Sequence, residues 1–181
     1  NQDKEVHFNT IQNDIFYLLD AGSWVTDYMG YVENDYNFNF VNSSDALTLT
    51  VNKEPLPVTP LGDGLSYGFG SENGSSDGKT YPYVLRYVPG DLKGGEHFVW
   101  EINTPVSQFE PVTLTCVVEL QETKAAGAQT QTYGAYDRFG ENNDSSLSYG
   151  LYTNNSATLH PVDSNKNQLE PEDFLKPTVS Y

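Results

Sequence analysis

The run Leu151-Tyr-Thr-Asn-Asn-Ser-Ala-Thr-Leu159 places Thr153, Asn155, Ala157 and Leu159 on one face if it is extended, because successive side chains of a strand alternate. A carboxamide therefore points where a core belongs. Burying it without partners costs about 1–3 kcal/mol, so Asn155 is either fully hydrogen-bonded or engaged in chemistry. Asp27, in Trp24-Val-Thr-Asp-Tyr-Met29, has the same anomaly: as part of a strand it shares its face with Val25 and Met29.

Other residues carry less chemistry. Gly64-Leu-Ser66-Tyr-Gly68 has the spacing of a nucleophile elbow, which exposes a serine hydroxyl only between a strand and a helix. The following Phe69-Gly-Ser-Glu-Asn-Gly74 is unsuited to start a helix, so a glycine-rich hairpin or loop is expected and a hydrolase is discounted. His7, His97 and His160 fall in different elements without metal-ligand spacing. Calcium wants several oxygens from one loop, and two acidic clusters come near that. Asp163-Ser-Asn165-Lys-Asn167 opens like a calcium loop, but Gln168 replaces the turn glycine and Phe174 the closing glutamate; Asp137, Glu141, Asn142 and Asp144 have no recognisable spacing. Both read as solvated acidic loops, and no metal or other cofactor is expected. Tyr133, Tyr136, Tyr149 and Tyr152 gather near one expected loop and are the candidate ligand anchors.

Periodicity supplies the framework on which these residues sit. Phe8, Ile11, Ile15, Leu18 and Leu19 recur at helical spacing over residues 3–20, with Gly22 as a stop. A helix is expected there, so that residues 1–22 form an N-terminal unit, the end of a preceding domain, and residues 23–181 a second one. Beyond Gly22 the period becomes two: Tyr36, Phe38 and Phe40; Leu47, Leu49 and Val51; Tyr83, Leu85 and Tyr87; Phe98, Trp100 and Ile102. Val51-Asn-Lys-Glu-Pro-Leu56 reads as a tight hairpin, because asparagine tolerates a positive φ and proline suits an edge. Cys116 shares a face with Val112, Leu114, Val118 and Leu120 and is expected to be buried. Segments 62–79, 123–132 and 137–149 read as loops. The fold expected is mainly β, an antiparallel β-sandwich of immunoglobulin-like or adhesin-like type with one N-terminal helix.

Composition narrows the function. With 25 Asp and Glu against 9 Lys and Arg, the formal charge of -16 repels a phosphate backbone, which argues against nucleic-acid binding. A single cysteine allows no internal disulfide, and no apolar run is long enough to insert in a membrane. The chain begins without methionine and ends inside a strand-like segment, so a larger protein is expected around it.

Trp24-Val-Thr-Asp-Tyr-Met-Gly30, with Tyr152-Thr-Asn-Asn-Ser-Ala-Thr-Leu159 much later in the chain, resembles Gram-positive cell-wall-anchored surface proteins of the fimbrial, isopeptide-forming type. Ala46–Leu56, Glu96–Ile102 and Pro111–Leu120 between them are similar to the same family, and the likeness spans about residues 20–181. His7–Ile15 resembles the last helix of a von Willebrand type A domain. The resemblance implies a lysine on a first strand that attacks an asparagine on a last strand, with a buried carboxyl handling the protons. Asn155 would be the electrophile and Asp27 the acid, but no lysine matches the pattern; a hydrogen-bonded Asn155 and an Asp27 that braces a turn are the alternative. The resemblance further implies a non-catalytic, monomeric module at a bacterial cell surface, an adhesin or stalk domain facing a host protein or glycan. A dedicated immunoglobulin- or glycan-binding module is the second reading.

Overall fold

The switch to period two becomes a set of antiparallel strands in the computed structural model, which describes residues 7–15, 18–32, 36–90, 95–107, 109–122, 136–137, 150–152, 154–174 and 178–180. The chain runs through β1 (His7–Ile15), β2 (Ser23–Met29), β3 (Tyr31–Val32), β4 (Tyr36–Phe40), a 3-10 turn at Ser44–Ala46, β5 (Leu47–Val51), β6 (Glu54–Pro55), β7 (Val58–Pro60) and β8 (Ser66–Phe69). It continues through β9 (Tyr83–Val88), β10 (His97–Ile102), β11 (Val112–Glu122), β12 (Tyr136–Asp137), β13 (Gly150–Tyr152), β14 (Asn154–His160), β15 (Glu172–Asp173) and β16 (Thr178–Ser180).

Two sheets make the sandwich. The first has the order β3-β4-β11-β5-β6, with β1 on the other side of β11; the second has the order β15-β14-β2-β10-β9-β8-β7. A third, three-stranded sheet joins β12, β13 and β16. β11 is the axis of the first sheet: residues 112–120 pair with β1 along one side, while β5 and β4 lie end to end along the other. The two large sheets meet over a core that includes Ile11, Phe38, Leu49, Leu114 and Val118 from the first and Val25, Leu85, Phe98, Trp100 and Leu159 from the second. The Phe40 and Phe98 rings, 5.8 Å apart, cross the interface.

The helix expected over residues 3–20 is not formed by the described residues. His7–Ile15 is a strand, paired in register with β11 from His7↔Leu120 to Ile15↔Val112. Ile11 and Ile15 are four apart, which suits a helix turn and equally suits one face of a strand; both are fully buried. Asn9, Thr10, Asn13 and Asp14 are poor helix formers, and the apolar stripe fails at Leu18, which is 76% exposed. The alternating face of β11 therefore decides the conformation, and the segment resembling a von Willebrand helix belongs to the first sheet.

The expected hairpin is present. Thr50↔Pro55 and Val51↔Glu54 pair across Asn52 and Lys53, whose φ values are 48° and 68°, and Pro55 lies on an edge strand, where its missing N–H is harmless. Cys116 is fully buried and free, as its phase requires.

Candidate functional site

Asp27 is fully buried on β2, opposite Phe98 of β10 and Ala157 of β14. Its phase neighbours Val25 and Met29 are buried too, while Trp24, Thr26 and Tyr28 turn away from the core. On β14, Ala157 and Leu159 are buried as the alternation anticipates. The register then slips: Asn154 pairs with Met29 and Ser156 with Tyr28, so Asn155 is the extra residue of a bulge, a place where strands re-aim side chains. The Asn155 side chain and Thr153 lie outside the described residues.

Across the sandwich from Asp27 stands Cys116 of β11. Burial, and then the negative charge of Asp27, push its thiol well above the ordinary value of 9.0, so it stays protonated and unreactive at neutral pH. Ile11 of β1 is the register partner of Cys116; an aliphatic side chain fills this first-strand core position. Lys53, Lys79 and Lys166 are exposed, and Lys4, Lys93, Lys124 and Lys176 lie outside the described residues. Among the described residues, then, the acid sits at the centre of the sandwich and no lysine is buried with it.

A second buried carboxylate was legible in the sequence, because Glu96 extends the inward alternation of Phe98, Trp100 and Ile102 by one step before β10. Glu96 accepts the Phe40 backbone N–H at 2.6 Å and the Tyr87 hydroxyl at 2.8 Å through Oε1, while its carbonyl accepts the Met29 N–H at 2.9 Å. It therefore ties β4 of one sheet to β9 and β2 of the other. Burial raises its pKa, and the two donors oppose that shift; burial and the same contact raise Tyr87.

The remaining candidates serve the frame or fall outside it. Ser66 lies in β8, 4% exposed, and donates to Asp63 Oδ2 at 2.6 Å; no helix follows it, so the elbow motif is a strand entry. Asp63 also accepts the Leu65 and Ser66 N–H groups, and the Ser66 hydroxyl is the main reason its carboxyl lies below the ordinary 3.8. Asp163 accepts the Asn165 and Asn167 N–H groups, both at 2.9 Å, which makes it the organiser of a turn. No group of three potential metal ligands occurs among the described residues. Glu141, Asn142 and Asp144 lie outside them, as do Tyr133 and Tyr149. Tyr136 and Asp137 form β12 and Tyr152 ends β13, where Tyr136 pairs with Leu151 and Tyr152 with Thr178. His97 stacks on Tyr28 at 4.4 Å and His160 on Trp24 at 4.7 Å.

No protein-family model and no curated protein matches the sequence. Among solved structures, the crystal structure of the RrgA Jo.In complex is similar, with a TM-score of 0.49 and 18% identity over 100% of this chain and 75% of that one. So distant a likeness assigns no function.

Proposed function

We propose that the chain is a non-catalytic module of a Gram-positive cell-surface protein, an adhesin or stalk domain that holds its loops out to a host protein or glycan. One observation carries the reading. Trp24–Gly30 and Tyr152–Leu159, the segments on which the family resemblance rests, lie side by side, most of each in β2 and β14, in a register that sets Ala157 against the buried Asp27. The resemblance draws on the order of the segments along the chain, and the pairing gives that order a spatial reason.

The loops support the same reading. Asp63, Asp77 and Asp163 each accept N–H groups of their own loop, so these loops are held in shape on a rigid sandwich, the arrangement by which scaffolds present binding residues. The acidic charge of -16 favours neutral or basic partners over nucleic acid. No helix among the described residues is long and apolar enough to cross a membrane.

Display of the chain on the wall of a Gram-positive cell tests the proposal. Adherence to host epithelium, matrix proteins and mucus should exceed that of cells displaying an unrelated sandwich domain. Equal adherence would remove the ligand-presenting reading, and selective capture of purified immunoglobulin would favour the narrower binding module.

A further inference from the structure

At one margin of the second sheet, Trp24 of β2 and His160 of β14 are register partners whose rings stack with centroids 4.7 Å apart and planes 15° from parallel. Thr26 Oγ1 lies 3.2 Å from His160 Nε2, which fixes the imidazole and leaves Nδ1 for another partner. The loop after β14 doubles back, with Leu169 N–H donating to Pro161 O at 2.9 Å. Pro161, Gln168, Leu169 and Glu170 then enclose, with the two rings, a groove of about 260 Å³.

The wall of this groove is prebuilt. Val162 N–H donates to Ser23 Oγ at 2.9 Å, and Asp20 N–H to Val162 O at 3.0 Å. Lys166 Nζ donates to Ala21 O at 2.9 Å and pairs with Asp20 Oδ2 at 3.2 Å. Held to the β1–β2 connection and by its own Asp163 turn, the loop has little freedom left to lose when a ligand enters.

We propose that this groove binds one neutral pyranose ring at the end of a glycan. A pyranose has an apolar face of C–H bonds and a rim of hydroxyls. Stacking covers one face of each ring, and the remaining outer face of a ring supplies a flat, polarisable partner for the sugar face, while the amide of Gln168 and the carboxylate of Glu170 supply donors and acceptors for the rim. Size points the same way: pockets for drug-sized ligands measure roughly 300–1,000 Å³, and a groove just below that range suits a single ring better than an extended peptide. Charge refines the class. The lining holds a carboxylate and no lysine or arginine, Lys166 beside it is neutralised by Asp20, and the chain carries -16, so sialylated and sulfated sugars are repelled. The site rests on the surface-module reading, whose glycan partner it narrows to a neutral sugar, and its test in solution is separate from the adherence of displayed cells.

The two tryptophans make the test direct, because Trp100 is fully buried and only Trp24 is open to an aqueous quencher. Methyl glycosides of glucose, galactose and mannose, N-acetylglucosamine, sialic acid and a proline-rich peptide are titrated separately against acrylamide quenching and amide chemical shifts of the whole chain. At least one neutral sugar should shield Trp24 and shift the 168–170 amides, with a dissociation constant on the order of millimolar, as a single small ring permits. Glu170→Ala and Gln168→Ala, at exposed positions where folding is not at stake, should each weaken binding by up to about tenfold with unchanged melting temperature. Absence of shielding by every neutral sugar up to about 100 mM, far above that constant, overturns the proposal. So does shielding by sialic acid or the peptide alone, or binding that both variants leave intact.

Discussion

His160 and Gly68 stand toward opposite ends of one transverse row on the outer face of the second sheet, which reads His160, Trp24, Glu101, Val84, Gly68, Thr59 across β14, β2, β10, β9, β8 and β7. A loop folds back at each end, with opposite results. At the glycine end, the segment 71–82 lies flat. The Tyr81 ring approaches so closely that a Cβ on Gly68 would stand 2.5 Å from it, and Val84 is 1% exposed although it faces away from the core. Asn103 fastens this segment, donating from its backbone to Pro82 O at 2.8 Å and from Nδ2 to Tyr81 O at 3.1 Å. At the other end two stacked rings occupy the surface, and the loop stands off to leave a groove. The two ends differ in the volume beneath the loop, no side chain at Gly68 and two rings at Trp24 and His160.

Adding volume at the sealed end should have the largest effect. Gly68→Ala is expected to destabilise the protein by about 1–3 kcal/mol, the usual cost of overpacking, read from urea unfolding. Pairing it with Tyr81→Ala should recover much of that loss relative to Tyr81→Ala alone. Without such coupling, the close approach of the ring does not explain the glycine.

Removing volume at the open end is expected to cost less. Trp24→Ala breaks the stack on His160, an effect of about 1 kcal/mol in unfolding experiments, and should leave the hydrogen exchange of the 71–82 amides unchanged. Faster exchange there would show that the two ends are not independent.

Lys166→Ala tests the tether of the open loop. Lys166 is largely exposed and Asp20 only partly buried, so global stability should fall by less than about 1 kcal/mol. Hydrogen exchange should rise within 161–171 alone.

Acidification gives the smallest and most diagnostic contrast. Asp77, held down chiefly by the Ser75 hydroxyl, and Asp163, held down chiefly by the Asn167 N–H, titrate below the ordinary 3.8. Their contribution is complete above 3.8 and is lost as pH falls through their lower folded values. Both loops should therefore loosen together in acid, seen as faster exchange at Lys79, Asn165 and Asn167. Glu96 acts with the opposite sign: its folded pKa is raised above 4.5, so its share of stability grows as pH falls from neutral through that raised value. The melting temperature should rise on mild acidification before it drops, and Glu96→Gln should flatten the rise while keeping an oxygen to accept from Phe40 and Tyr87. A melting temperature that falls monotonically from pH 7 would exclude this role for Glu96.

Alternation alone determined the inward phase of Asp27, the burial of Cys116, the hairpin at Asn52 and Lys53 and the antiparallel β class, because each rests on local backbone geometry and a period of two. Tertiary structure decided the rest. His7–Ile15 carries isoleucines four apart, a spacing that helix and strand share; a free edge on β11 chose the strand. The bulge at Asn155 comes from register against β2, which no single segment encodes. Glu96 continues the inward phase of Phe98, Trp100 and Ile102, but its partners Phe40 and Tyr87 lie on different sheets and only packing brings them to it. Trp24 and His160 meet only because the second sheet sets distant strands side by side, and Tyr81 reaches Gly68 only because the 71–82 loop folds back over β8; both contacts are properties of the packed whole.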